Sequence, residues 1–479
     1  MNILVLVFIF LYPTLMAANV FFSWLNIVIF LIQIILIVWI IYMMIRLKSK
    51  SRKIYFSQGS KKIHFFIVVF LLLNIVSLTR GYFNDYFNAN GFISNITSLI
   101  LFYLIGLIAS LADENEFFKK EKIFSALYLG IVFYVIVNLY TLYVLNIQSP
   151  IVMVNSTGEI GEGIIAGFLG IEVKRTIFPL AGSFGVTHFA SIVGIVAVES
   201  SIKIMFLKNV DKFSSFEVVF NYISAIVCFL MLLLLDSRAP FFSMVLVLAL
   251  FFIIRNLKKS QFLLIINYTP LIFISNCLFP FIFEPLSSFL QPLFQEYGLN
   301  RGVSASSFSD REIIWNSVLK FLSMFDPEQI IGYGMWGQYQ AGINADYEGI
   351  LFGNYFNKET SLFTLHSTIF QQLIDVGYIG VFIYIVCTFL SMKSLINLIR
   401  VNQRKYDFYS FDDVCAISTL GVILYLAFVG NFDPVVTQER LFTTNIYFLL
   451  LISSLRIIKP NESTFIKYKN NSEVNYTLI

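Results

Sequence analysis

Long apolar runs separated by polar breaks dominate the chain, and their length decides how they are read. A helix needs ~20 apolar residues to cross a hydrocarbon core about 30 Å thick. Runs of that kind fall at roughly 3–22, 25–45, 63–80, 92–111, 123–145, 183–202, 218–235, 239–254, 262–283, 376–399, 414–431 and 441–458. They predict an all-α polytopic membrane protein with about twelve transmembrane helices and a single integral membrane domain over 1–479. Two polar breaks are long. One covers 146–182 and is glycine-rich in its middle (GEIGEGIIAGFLG); the other covers 284–366. The opening run, MNILVLVFIFLYPTLMAANV, has no positive n-region and reads as a retained helix rather than a cleaved signal.

The larger break has periodicity of its own. In REIIWNSVLKFLSMF (311–325), Ile314, Trp315, Val318, Leu319 and Leu322 recur at helical spacing. This predicts an amphipathic helix lying on the membrane interface. GYGMWG, beyond Pro327, predicts a glycine-aromatic turn.

Composition strengthens the membrane reading. The chain is 58% hydrophobic and 13% charged, against about 25% charged in soluble proteins. Lys and Arg in the breaks set the orientation. The connection 46–62 carries Arg46, Lys48, Lys50, Arg52, Lys53, Lys61 and Lys62, so it faces the cytoplasm. Alternation then places 146–182 and 284–366 outside. Cys228, Cys277, Cys387 and Cys415 all fall in apolar runs, which predicts small buried hydrophobes with neither disulfide nor metal site.

The outer cations are Arg80, Arg175, Arg238, Arg301, Arg311 and Arg440 with Lys174, Lys320 and Lys358; inside, Lys outnumbers Arg. The inner set needs only diffuse charge, whereas Arg offers a planar fork that grips phosphate oxygens. Arg238 lies in LLLLDSRAPFFSMVLVL, a tight polar hairpin between two spans. It reads either as a functional charge at membrane depth or as one half of an Asp236–Arg238 cap. Arg311 opens the loop helix and reads either as an anion ligand or as a solvated helix end. Arg80, Arg301 and Arg440 read first as structural charges.

Of three histidines, His64 sits at a cytoplasmic helix start and His188 near the outer end of an apolar helix, where it reads first as a satisfied membrane histidine. His366 closes the long loop at the outer surface. Imidazole is the side chain best suited to take a proton from a hydroxyl near neutral pH. Outer aromatics Trp315, Tyr333, Trp336 and Tyr339 read either as sugar-stacking rings or as interfacial belt residues. No nucleotide-binding glycine fingerprint and no Asp-x-Asp pair occurs, which argues against a metal-held nucleotide sugar at the cytoplasmic face; no nucleic acid is expected as partner.

These elements, in this order over roughly 170–455, resemble the O-antigen ligase and O-antigen polymerase (Wzy) superfamily. HSTIFQQLIDVGYIG carries His366, Ser367, nine residues, Gly377, two residues and Gly380, like the family's His-[Asn/Ser/Gln]-x9-Gly-x2-[Gly/Thr/Tyr] pattern. DSRAP resembles its Ser-Arg-Gly/Ala element, and REIIW and IIGYG resemble its Arg-x3-Trp and Gly-x-Gly elements. RTIFPLAGSFGVTHFAS resembles the Arg-containing segment before an earlier helix, where the family often has Asn near the place of His188.

The resemblance implies a GT-C-type enzyme of the bacterial inner membrane with its site facing the periplasm. It implies metal-independent, inverting transfer from an undecaprenyl-pyrophosphate-linked oligosaccharide, with no cofactor. In a polymerase the acceptor is another lipid-linked repeat unit; in a ligase it is lipid A–core. Arg238, Arg311 and Arg175 would neutralise the leaving pyrophosphate. His366 would act as general base on the acceptor hydroxyl or position it. Arg301, Trp315, Tyr333, Trp336 and His188 are expected to contact substrate, membrane lipid to surround the chain, and a chain-length regulator to be a further partner. The polymerase reading leads; a polysaccharide transporter or flippase is the alternative from another class. The long loop is expected to fold over the Arg238 hairpin, with His366 and Arg238 around one cavity.

Overall fold

Each of the twelve predicted apolar runs contains helix among the described residues. The structure, a computed structural model, describes residues 2–18, 24–49, 55–111, 120–147, 165, 167, 176, 178–181, 186–207, 215–283, 311–351, 362–405, 409–455 and 457–458. Arg175 and Arg301 lie outside the described residues. Among the described residues, ten helices are long and apolar enough to span a membrane, and the chain is an all-α polytopic membrane protein.

The first half is α1 (Asn2–Ala18), α2 (Leu25–Ser49), α3 (Gln58–Phe83), α4 (Ala89–Leu111) and α5 (Lys120–Tyr143), followed by α6 (Val186–Leu207), α7 (Ser215–Leu235) and α8 (Arg238–Arg255). The ninth predicted span is broken into α9 (Lys259–Ile266) and α10 (Thr269–Cys277). Pro270, in the first turn of α10, has no N–H to donate to the Ile266 carbonyl, so the hydrogen-bond ladder cannot run through. Arg400 Nη2 reaches in to donate to Asn267 Oδ1 at the break (2.7 Å). The loop helix is α11 (Arg311–Ser323), and the chain closes with α12 (Thr368–Asp375), α13 (Gly377–Lys405), α14 (Phe411–Val429) and α15 (Leu441–Ser453). A two-residue antiparallel ladder pairs Tyr55–Phe56 with Ile457–Ile458.

Packing separates two bundles that share α13 and α14. In one, α1 packs on α5, and α4 packs on α2 and α15. In the other, α6 packs against α7, α8 and α14. The shared helices close the arrangement, α13 against α3 and α14. With only 13 residues, α15 is short, and every residue from Leu441 to Ile452 is buried. It lies at the centre, and polar side chains hold it there. Asn445 Nδ2 donates to Ser98 Oγ (2.8 Å), which is also bonded to Tyr12 Oη (2.5 Å). Gln438 Nε2 donates to Asn74 Oδ1 (2.8 Å). Such bonds carry information in a membrane because apolar contacts alone do not favour one helix over lipid.

The loop helix differs from expectation. Its apolar face covers protein: Ile314, Trp315 and Val318 are buried. Trp315 meets Phe283 and Phe370 edge-on (4.8 and 5.9 Å between centroids). A groove lined by aromatic rings was available at the bundle end, and α11 fills it. Cys228, Cys277 and Cys387 are buried and Cys415 is half-buried.

Candidate functional site

The site begins with a backbone irregularity. His366 has φ +53°, a left-handed conformation that a residue with a Cβ rarely adopts. Ser367 follows as N-cap of α12, its hydroxyl accepting from Phe370 N–H. Thr368 N–H donates to Gly430 C=O (2.6 Å), Val435 N–H donates to Thr368 Oγ1 (3.0 Å) and Gln372 Nε2 donates to Val436 C=O (2.5 Å). The 430–436 loop is thereby laid along α12, directly beside His366.

That loop carries the partners. Phe432 lies under the Arg311 guanidinium, 5.7 Å from ring centroid to Cζ, a cation–π geometry. Asp433 is buried, and its Oδ1 stands 3.9 Å from Arg440 Nη2. Arg440 is presented by the short turn Gln438–Arg440. Its charge reaches His366, Asp433 and the buried His188 at the head of α6. His366, Arg311, Arg440 and Asp433 therefore form one electrostatic cluster.

Burial, then Arg311 and then Arg440 pull the His366 imidazolium pKa down to about 3. The ring is neutral at neutral pH. Burial raises Asp433, while Arg440 and Arg311 oppose that rise. Nearby, Asp375 is pushed well above the usual carboxylate range, first by burial and then by its hydrogen-bonded neighbour Glu439. Both causes favour its neutral form over the carboxylate.

Arg238 heads α8 after Asp236, which has φ +47°. Asp236 Oδ1 accepts Ile165 N–H (2.9 Å), which fixes the turn that aims Arg238. The levels of the helices place it. A Cβ on Gly421 of α14 would touch Phe251 of α8 and Ile202 of α6. From there Arg238 lies thirteen residues up α8 and Gly430 nine up α14, about 20 and 14 Å of rise. Arg238 and His366 thus share one end of the bundle, the end that the charge pattern assigns to the outside.

The predicted aromatics divide. Trp315 is only 2% exposed and donates Nε1–H to Leu365 C=O (3.0 Å). Tyr333 is 4% exposed, with its hydroxyl on Asp326 Oδ2 (2.6 Å). Neither offers a ring face to a sugar, so the expectation of stacking on these two is corrected to packing. Trp336 is half-buried, with φ +61°, and its N–H donates to Glu439 Oε1 (3.2 Å). It remains available beside Tyr339. Arg80 is structural, as expected: Nη1 donates to Gly332 C=O and Nη2 lies 3.7 Å from Glu328.

Residues 223–385 match the family model described as O-antigen ligase. That segment is similar to the O-antigen ligase family. The match supports the O-antigen ligase and polymerase superfamily, whose members are glycosyltransferase-like enzymes acting on polyprenyl-linked oligosaccharide. No curated protein matches the chain. Arg238, Arg311 and His366 lie inside the O-antigen ligase match, whereas Asp433, Glu439 and Arg440 lie beyond it.

Arg440, which the sequence presents first as a structural charge, joins this candidate cluster, as do Asp433 and Glu439, which no motif marks. The signal was present as NFDPVVTQER, a polar island between two spans. Its folding back onto α12 is what makes those residues part of the site.

Proposed function

We propose that this protein is a polysaccharide polymerase that joins undecaprenyl-pyrophosphate-linked repeat units at the outer face of the bacterial inner membrane. One observation carries this reading: a neutral, partly buried imidazole stands among arginines, with a buried carboxylate, at one end of a membrane bundle. The acceptor hydroxyl attacks the anomeric carbon from the face opposite the pyrophosphate. A carbon–oxygen bond forms there as the bond to the pyrophosphate oxygen breaks, so the configuration inverts. The hydroxyl proton passes to His366, and the negative charge left on the pyrophosphate is met by Arg238, Arg311 and Arg440. Fixed guanidiniums supply this stabilisation without a metal ion.

Burial first, then Arg311 and Arg440, make the free imidazole a weak base. Binding of the anionic pyrophosphate offsets the arginine part of that shift and raises the basicity of His366. The general base is thereby strengthened when donor is bound, which disfavours idle proton abstraction from water in its absence. The clustering of these cations at one end supports an enzyme over a flippase, which would need a cationic path between both faces.

The test is expression of His366→Ala, Arg238→Ala and Arg311→Ala in a polymerase-deficient strain. Each is expected to abolish long polysaccharide ladders. Full ladders from all three would overturn the assignment. The family description itself favours a second reading, ligase. In that case loss of the protein leaves chains polymerised but unattached to lipid A–core.

A further inference from the structure

The segment entering His366 is held by side chains rather than by a neighbouring strand or helix. Phe363 N–H donates to Tyr339 Oη and Phe363 C=O accepts from Gln338 Nε2, both at 2.7 Å. Leu365 N–H donates to Gln371 Oε1 (2.9 Å), and Leu365 C=O accepts from Trp315 Nε1 (3.0 Å). A left-handed residue with a Cβ persists only where its surroundings over-determine it. Here the over-determination is visible bond by bond.

Gln371 is the junction. It is fully buried on α12, and its amide nitrogen faces a set of acceptors: Gln338 Oε1 (2.9 Å), both Asp375 carboxyl oxygens (3.1 Å each) and Glu439 Oε1 (3.4 Å). Its oxygen faces the Leu365 N–H, so the amide has one orientation. One side chain thus ties together three pieces. They are the segment that delivers His366, the turn that carries Trp336 and Gln338, and the turn in which Glu439 precedes Arg440. An apolar residue could fill the volume but could not register these three pieces.

We propose that Gln371 is a positioning residue for the transfer reaction, fixing the His366 imidazole relative to Arg440. The proposal rests on His366 being the base of that reaction. Misplacing a base by a fraction of an ångström lowers turnover while leaving donor binding, which depends on the arginines, nearly intact.

The experiment uses the full-length protein in lipid nanodiscs with lipid-linked repeat units. Gln371→Leu is expected to lower kcat by about 30-fold with KM changed less than about threefold. The chain has three histidines. The His366 ring can therefore be assigned in isotope-labelled protein as the signal missing from His366→Ala. In Gln371→Leu that signal should shift, while His64 stays in place as internal control. Gln338→Leu removes the contact to Phe363 and should shift the same signal less; it carries the test if Gln371→Leu does not fold. An unmoved His366 signal overturns the proposal, whether or not activity falls, because a loss without it is merely structural. Full activity of His366→Ala would instead remove the reaction assignment, and the ring signal would still decide what Gln371 positions.

Discussion

Gly377 and Gly342 form a natural pair for a quantitative test. Both have φ +72°. Replacing either with Ala therefore incurs the same left-handed penalty, about 1–2 kcal/mol. Their surroundings differ. Nothing lies within 4 Å of a Cβ on Gly342, whereas a Cβ on Gly377 would sit 2.5 Å from Gly332 N and Ile330 O. Those atoms are backbone and cannot rotate aside. Gly332 presses back equally, since its own Cβ would lie 2.5 Å from Gly377 N. The two backbones are joined by Tyr333 N–H to Ile374 C=O (2.7 Å) and Gly334 N–H to Asp375 C=O (2.9 Å). Forcing them apart adds about 1–3 kcal/mol of overpacking and weakens bonds each worth about 1 kcal/mol. Gly342→Ala should thus cost about 1–2 kcal/mol and Gly377→Ala about 2–4 kcal/mol more. Thermal unfolding of the two variants in one detergent reads the difference, and turnover of lipid-linked substrate reads its effect on α12. Equal losses of stability would refute the backbone-on-backbone contact. They would also leave the glycine of the His-Ser-x9-Gly pattern without a steric reason.

Three further expectations concern charge. With the His366 pKa depressed to about 3, the ring is already neutral across the neutral range, so kcat/KM should show no acid limb from it there. Arg440→Gln removes one of the opposing cations, and the limb should move up toward the ordinary histidine value; a profile unchanged from wild type would separate Arg440 from His366. Arg311→Lys keeps the charge but loses the fork and the stack on Phe432, and should reduce turnover by about tenfold; turnover equal to wild type would show that charge alone suffices. The folded Asp375 carboxyl binds its proton more tightly than the unfolded one. Its stabilising effect is therefore greatest in acid and declines as pH rises from the usual carboxylate range toward the raised value. Asp375→Asn, neutral at every pH, should flatten that decline in melting temperature as pH rises above the usual carboxylate range; parallel curves would refute the upward shift of Asp375.

The membrane architecture was legible because hydrophobic length is a one-dimensional property. The break at Pro270 is the exception, since 262–283 reads as one unbroken run. The order of Arg238, Arg311 and His366 was legible for a similar reason, since each stands beside a motif. What was not legible is which face a side chain turns inward. Trp315 at helical spacing predicts an apolar stripe equally well for lipid or for protein, and only the ring-lined groove at the bundle end selects protein. Arg440 illustrates the other limit. Beside a span it reads as an interface anchor, and nothing local reveals that the preceding loop folds onto α12. Gln371 was hidden still more deeply. Its role rests on Gln338, Leu365 and Glu439, which are scattered over a hundred residues of chain.

The burial of α15 has a bearing on how the protein is made. The polar side chains of Tyr12, Asn74 and Ser98 are made early in synthesis, yet Asn445 and the neighbouring Gln438 arrive only with α15. Until then those hydroxyls and amides must face lipid, one another or an insertion factor, because leaving a polar group unpaired in hydrocarbon is costly. Translocation of the early helices and their tertiary assembly are thus separated by most of the chain's translation time. A ribosome that stops before Leu441 leaves behind a bundle with its centre missing, marked by exposed polar groups within the membrane.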